Sequence, residues 1–162
     1  MNNSVDYQYY FDANALFKYY QDEKGSLNIR RLVSNVSHPI LVSPLTSLEC
    51  LGVVMKYYRS KLLKKKQVNK LFQRLRMDVE LNGKNRPFKI IPIHEEAFRL
   101  AESLLLQYAL SLDISSNDAL HLAIVEKLQS QFSAILVTSD NSMQKVCERL
   151  SIPFYDPETD EE

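Results

Sequence analysis

Four acidic residues that are far apart in the chain stand where a hydrolytic site could form. Asp12 and Asp140 directly follow apolar segments that predict strands, whereas Glu49 and Asp118 lie near the predicted starts of helices. In open α/β sheets ligands bind outside the carboxyl ends of the strands, and the following helices begin at that same edge. Carboxylates gathered there repel one another, and a divalent cation such as Mg²⁺ or Mn²⁺, which takes oxygen ligands, relieves the repulsion. These residues therefore predict a metal site at one edge of a sheet.

Short apolar segments alternate with helical patterns along the chain, and this alternation positions the four acids. Strands are predicted at residues 7–11, 40–43, 90–93, 133–138 and 152–155, with the third limited by Pro92. Helices are predicted from residue 13 to about 24, from a Ser26 cap to 36, from Pro44 to about 58, over 64–77, over 95–112, from 115 or 116 onwards, and through 143–150. Such alternation indicates an α/β fold in which helices cover both faces of a mostly parallel sheet.

The helix that contains Asp118 is apolar on nearly all sides after its first turn. Ser115 or Ser116 is the predicted N-cap, and Asn117 and Asp118 fall in the first turn. This pattern predicts a helix buried on most of its surface, where a carboxylate is costly unless the helix N-terminus, hydrogen bonds or a cation offset its desolvation. The ordinary alternative is an acid favoured by the helix dipole alone. His121, one turn later, is expected to be a core or hydrogen-bonded histidine.

The segments around the acids resemble those of the PIN domain family. YYFDANAL (9–16) is similar to its opening strand and first acid, and SPLTSLE (43–49), NDALHLA (117–123) and LVTSD (136–140) are similar to the segments of the second, third and fourth acids. IPFYDP (152–157) resembles the last strand. The resemblance implies a three-layer α/β/α PIN-like domain over residues 1–156, followed by a flexible acidic tail at 157–162.

The resemblance also implies an activity, that of the VapC-like toxin ribonucleases. It makes Asp12, Glu49, Asp118 and Asp140 the catalytic residues, which would hold one or two Mg²⁺ or Mn²⁺ ions for hydrolysis of an RNA phosphodiester bond. Polar side chains near them would orient these ligands; they are Asn14, Thr138 and Ser139. The implied protein is the toxin of a type II toxin–antitoxin system, with an antitoxin partner and a homodimeric assembly.

Charge is balanced over the whole chain but segregated along it. The 162 residues have a formal net charge of zero, so no whole-molecule field indicates a nucleic-acid partner. Between Cys50 and Met77, however, there are basic residues and no acid. Within this run we predict RNA contacts from Lys64, Lys65, Lys66, Lys70 and Arg74. The alternatives are a solvated face or a surface that docks acidic residues of an antitoxin.

Cysteine content and hydropathy indicate the compartment. Cys50 and Cys147 lie in apolar helical patterns without metal-ligand spacing, so we expect buried free thiols. No segment approaches the length of a membrane span, and we expect a cytoplasmic protein.

Two other functions remain open at this stage. A non-catalytic PIN-like module that binds RNA or protein would not need four acids. A metal-dependent phosphohydrolase for a small substrate would not need a long basic surface, and the chain lacks a glycine-rich phosphate loop.

Overall fold

The central sheet has five parallel strands in the computed structural model, which describes residues 7–79 and 86–159. The strands lie in the order β3-β2-β1-β4-β5, so the first strand of the chain is at the centre. All strand pairs among the described residues are parallel, as an α/β fold with crossover helices requires. The strands are β1 Gln8–Phe11, β2 Ile40–Val42, β3 Phe88–Ile90, β4 Ala134–Val137 and β5 Phe154–Tyr155.

Helices cover both faces of this sheet. Four of them, α1 to α4, pack on one face, and α5 to α7 pack on the other. Alternate strand residues supply the two cores, because Tyr10 faces α5–α7 whereas Phe11 faces α1–α4. The predicted three-layer α/β/α fold is thereby confirmed. The helices are α1 Ala13–Tyr20, α2 Ser26–Asn35, α3 Pro44–Arg59, α4 Lys65–Asp78, α5 Glu95–Leu112, α6 Ser116–Gln129 and α7 Asn141–Leu150.

Local sequence sets the starts of α3 and α6 as predicted. Pro44 is the first residue of α3 after the N-cap Ser43, and its fixed φ suits that position. Ser115 is the N-cap of α6: its hydroxyl accepts from the Asp118 N–H, and the Asp118 carboxylate accepts from the Ser115 N–H. This reciprocal pair satisfies two N–H groups that a helix start leaves without partners.

The predicted cap of α2 was wrong. Ser26 is the first residue of the helix, and its N-cap is Gly25, which has a φ of 80°. A Cβ on Gly25 would also lie 2.8 Å from the Pro157 carbonyl oxygen, so both backbone conformation and close approach favour glycine. The Ser26 hydroxyl instead accepts from the Glu23 N–H and donates to the Gln21 carbonyl, which closes the turn between α1 and α2.

Several predicted boundaries also move. The first helix ends at Tyr20 rather than near residue 24, and β5 is limited to Phe154–Tyr155. The third strand is Phe88–Ile90 rather than 90–93; it is an edge strand, and Pro92 has no N–H to continue the ladder. In the polar segment between α4 and β3, residues 80–85 lie outside the described part of the chain.

The first residues of the predicted tail at 157–162 contact the rest of the domain. Asn28 donates to the Pro157 carbonyl at 2.9 Å. Glu158 forms an ion pair of 2.6 Å with Lys18, a buried residue of α1 that also pairs with Glu23. Residues 160–162 lie outside the described residues.

Both cysteines are buried, as the sequence predicts. Cys50 packs in the α1–α4 core and Cys147 in the α5–α7 core, and both are free thiols. Burial raises the pKa of each thiol to about 12. None of the helices in the described part of the chain is long and apolar enough to span a bilayer.

Candidate active site

All four predicted acids line one cavity at the carboxyl edge of the sheet. The cavity has a volume of about 380 Å³, and Asp12, Glu49, Asp118 and Asp140 belong to its wall. They come from four elements: the β1–α1 junction, α3, the start of α6 and the β4–α7 junction. This is the edge at which parallel α/β sheets bind ligands.

Asp12 is the most deeply buried of the four. Its side chain is N-cap of α1, and Oδ1 accepts from the Ala15 N–H at 2.7 Å. Only 3% of the residue is exposed. Burial raises the pKa of the Asp12 carboxyl, and the nearby charge of Asp140 adds to this, although the hydrogen bond from the Ala15 N–H opposes it. A buried carboxylate beside a second one is the arrangement that a bound cation would stabilise.

Asp118 and Asp140 also stand at helix N-termini, where the helix dipole favours negative charge. Asp140 caps α7, with Oδ1 accepting from the Met143 N–H at 2.8 Å. Asp118 Oδ2 accepts from the Ser115 N–H at 2.7 Å. No hydrogen bond within the described residues engages the second oxygen of either carboxylate, so each has an oxygen that could meet a ligand.

Glu49 is held by two residues of α6. Its Oε1 accepts from Asn117 Nδ2 and its Oε2 pairs with His121 Nε2, both at 2.7 Å. Asn117 and His121 are four residues apart, so they lie one above the other on the same face of α6. Burial alone would raise the pKa of the Glu49 carboxyl, but the hydrogen bond and charge of His121 outweigh it and lower the pKa.

A buried hydrogen-bond network supports His121 from behind. Tyr10 Oη lies 2.8 Å from His121 Nδ1 and 2.9 Å from Ser43 Oγ. The hydroxyl of Thr46, 3.2 Å from Tyr10 Oη, donates to the Phe11 carbonyl. His121 is thus held at both ring nitrogens, by Tyr10 at Nδ1 and by Glu49 at Nε2. The prediction of a hydrogen-bonded His121 agrees with this arrangement.

The four acids offer carboxylate oxygens, the ligands that a hard divalent cation prefers, and one of these carboxylates is buried. In this arrangement no three His, Cys, Asp or Glu side chains of residues 7–79 and 86–159 stand close enough to hold one ion. Three of the acids have an oxygen turned to a helix N-terminus and Glu49 is turned to α6. Joint coordination therefore requires side-chain movement.

The three predicted orienting residues occupy different positions. Asn14 lines the cavity. Thr138 is fully buried; its hydroxyl accepts from the Asp140 N–H at 3.1 Å and points to Met143 Sδ at 3.8 Å. Ser139 Oγ is buried and has no hydrogen-bond partner among the described residues.

The predicted RNA-binding residues do not line the acidic cavity. They lie on or just before α4 and are exposed, and Arg74 stacks over the Tyr20 ring at 5.4 Å. The cations in the cavity wall are instead Lys56 and Arg59 of α3, which were not singled out. Helix periodicity contains the signal, since residues 7 and 10 positions after Glu49 share its helix face.

Comparison with solved structures gives the same fold at low identity. FitAcB from Neisseria gonorrhoeae is 18% identical, with a TM-score of 0.65 over 93% of this chain and 98% of that one. Mycobacterium tuberculosis VapC20, described as a sarcin–ricin loop cleaving toxin, is 11% identical, with a TM-score of 0.63 over 86% and 95%. A toxin–antitoxin complex from Klebsiella pneumoniae is 18% identical, with a TM-score of 0.53 over 82% and 89%.

Sequence comparison identifies the family. Curated protein sequences give no significant match. A family model described as PIN domain matches residues 9–149, a range that contains all four acids of the cavity. The chain belongs to the PIN domain family.

Proposed function

We propose that this protein is a ribonuclease that depends on Mg²⁺ or Mn²⁺ and acts as the toxin of a type II toxin–antitoxin system. The observation that supports this most strongly is the meeting of four acids, from four separate elements, in one cavity at the carboxyl edge of the sheet. A bound divalent ion supplies a Lewis acid that lowers the pKa of water and offsets charge on a phosphodiester. Its ligands would be Asp12, Glu49, Asp118 and Asp140.

The chain's own residues prepare these ligands. The N-terminus of α1 orients the buried Asp12 carboxylate, and the Thr138 hydroxyl fixes the backbone at Asp140. Asn117 and His121 keep Glu49 ionised and directed at the cavity rather than into solvent. Asn14, on the cavity wall, offers an amide to the substrate or to a ligand. Each carboxylate thus starts from a defined position, which limits the reorganisation that cation binding requires.

RNA is the proposed substrate because two cations of α3, Lys56 and Arg59, line the acidic cavity, and further cations lie on the next helix, α4. An exposed basic surface lies on and just before α4; it is formed by Lys64, Lys65, Lys66, Lys70 and Arg74. Contacts with phosphates position a nucleic acid without reading its bases. VapC20, which shares the fold, is described as a sarcin–ricin loop cleaving toxin. A nuclease of cellular RNA would act in the cytoplasm, the compartment that we propose.

Cleavage of a labelled RNA in Mg²⁺, in Mn²⁺ and in EDTA tests this function. Asp12→Asn and Asp118→Asn remove charge while keeping shape, so each should lower the metal-dependent cleavage rate by at least about a hundredfold, as loss of electrostatic stabilisation does. Asp22→Asn is the matched control, since Asp22 forms an exposed ion pair with Arg30. Undiminished cleavage in both site variants would refute the assignment.

A second candidate is a non-catalytic PIN-like module that binds RNA. The observation in its favour is that three of the acids already satisfy helix N-termini, a structural role that needs no metal. RNA binding without cleavage in either metal would favour it. Parallel assay of phosphomonoesters separates both candidates from a phosphohydrolase for small substrates.

The proposal includes a homodimer. Helix α5 has three exposed apolar residues separated by eight and four positions. They are Phe98, which is 49% exposed, Leu106, which is 85% exposed, and Leu110, which is fully exposed. Such a stripe on one helix face is suited to a subunit interface. Leu106→Glu with Leu110→Glu should reduce the mass measured by light scattering to that of a monomer, whereas Leu62→Glu, at another exposed leucine, should not. A monomeric unmodified protein at high concentration would refute the dimer.

The proposal also includes an antitoxin, whose peptide would cover the acidic cavity or the basic surface beside it. The fold shared with a protein of a Klebsiella pneumoniae toxin–antitoxin complex supports this partner. Changing Lys64, Lys65 and Lys66 to alanine separates the possible roles of α4. Weaker RNA binding with a flatter salt dependence would indicate phosphate contact, and lost antitoxin binding with unchanged RNA affinity would indicate an antitoxin surface.

A further inference from the structure

One helix, α3, contributes both charge signs to the wall of the acidic cavity. Glu49 lies near its start, and Lys56 and Arg59 lie in its last turns. Both cations are exposed, and neither forms an ion pair with any acid of the described residues. They are therefore available to an anion that approaches the four carboxylates.

Gly52 lies between these charges and also belongs to the cavity wall. Glycine weakens the interior of a helix relative to alanine, so its presence here requires a reason. Its φ is not positive, and a Cβ built on it would meet no atom within 4 Å. Neither the backbone conformation nor the packing of the described residues needs glycine at this position. The missing side chain instead leaves open space along the cavity wall.

We propose that the face of α3 formed by Gly52, Lys56 and Arg59, here called the α3 strip, binds backbone phosphates of single-stranded RNA next to the bond that is cut. The two cations bind the phosphates, and the bare helix at Gly52 lets the sugar–phosphate chain lie close to α3. From Gly52 to Arg59 the helix rises about 10 Å, so the strip guides a strand from the exposed surface to the acids. The site rests on the proposed function for its role in cleavage, but its binding is measured separately.

The charge half of the test uses the inactive Asp12→Asn protein in Mg²⁺, so that RNA remains intact. Anisotropy of a labelled single-stranded RNA is measured over a KCl series, with and without the double change Lys56→Gln and Arg59→Gln. Each phosphate contact with single-stranded RNA contributes about 0.7 to the salt slope, so loss of two contacts lowers the slope by about 1.4. The protein with the intact strip should then lose about sevenfold more affinity than the double variant between 50 and 200 mM salt.

A matched control removes the same charge elsewhere. Lys24→Gln with Arg31→Gln changes two exposed cations outside the acidic cavity. It should leave the salt slope nearly unchanged. An equal loss of slope in the control would show attraction to net charge alone and would overturn the α3 strip.

The glycine half of the test separates binding from stability. Gly52→Ala should raise the urea midpoint, because alanine favours the helix, yet weaken RNA binding severalfold. Gly52→Leu should weaken RNA binding further by filling more of the wall. These opposite signs exclude misfolding as the cause of lost affinity. Unchanged affinity in Gly52→Leu, or an unchanged salt slope in the double variant, would overturn the proposal.

The two proposals can fail separately. If the unmodified protein cleaves RNA in Mg²⁺ but the α3 variants bind like their parent, the strip is refuted and the ribonuclease stands. If RNA binding depends on the strip but no RNA is cut in Mg²⁺ or Mn²⁺, the ribonuclease is refuted and the strip stands.

Discussion

Asparagine at position 12 should stabilise the metal-free protein. Asp12 is 3% exposed and lies beside Asp140, so its ionised form has lost hydration and is repelled. Asparagine caps a helix as well as aspartate does, so the bond from the Ala15 N–H should remain. Asparagine also carries no charge for Asp140 to repel. We expect a gain of about 1 kcal/mol, as is common when a charge required only for function is removed.

Urea denaturation at pH 7 in EDTA, followed by far-UV circular dichroism, measures this gain. A change of 1 kcal/mol corresponds to about 2–4 °C in Tm for a domain of this size. In Mn²⁺ the order should reverse, since an ion at one hundred times its Kd stabilises the unmodified protein by about 2.7 kcal/mol. The variant, with a ligand charge removed, should gain less. Asp22→Asn should behave like the unmodified protein in both buffers.

The difference in the free energy of unfolding between Asp12→Asn and the unmodified protein should depend on pH, because Asp12 is buried. The pKa of Asp12 is raised above its ordinary value of 3.8 in the folded state. The cost of ionising it is therefore absent below 3.8 and develops as the pH rises through the folded value. The difference between the two proteins should close in acid. A variant that is less stable than the unmodified protein in EDTA at pH 7 would refute the reasoning.

Two further changes test the buried hydrogen bonds by urea denaturation. Tyr10→Phe should lower the free energy of unfolding by about 2 kcal/mol, because it leaves buried partners such as His121 unsatisfied. Tyr7→Phe, at a half-exposed residue, should lower it by almost nothing. Equal losses in the two variants would contradict this prediction. Lys18→Met should cost about 1–2 kcal/mol, less than a fully buried pair, since Glu158 is partly exposed. Burial alone would lower the pKa of Lys18, but its glutamates outweigh it and raise the pKa above 10.5, so this stability should be lost only as pH rises through the folded value. A constant difference between Lys18→Met and the unmodified protein across the alkaline range would contradict the pairing.

The site acids were predictable because local signals place them. A strand, an acid and a helix start occur in that order at Asp12 and at Asp140, and the Ser115–Asp118 pair is a local cap. Glu49 was placed by the same logic, from the Pro44 start of its helix. A parallel topology then brings such junctions to one edge, so only the element order had to be correct.

What could not be predicted depends on contacts between distant residues. A side chain is excluded at Gly25, the N-cap of α2, because a Cβ there would meet Pro157, more than a hundred residues later. The basic run from Lys56 to Arg76 gave no sign of which cations would reach the acids, since that depends on how α3 and α4 pack. The support of Glu49 by His121 was equally hidden, because it joins two helices on opposite faces of the sheet.

The strand order has a consequence for synthesis on the ribosome. The first strand, β1, is central and pairs with β4, so that Gln8 lies opposite Ala134. The sheet is therefore divided until residue 137 has left the ribosome, and Asp140 enters the cavity later still. Long-range pairing of this kind is slow to form. A nascent chain interrupted before Asp140 would have an incomplete set of acids, so the cavity is complete only after Asp140 has been translated and β4 has joined the sheet.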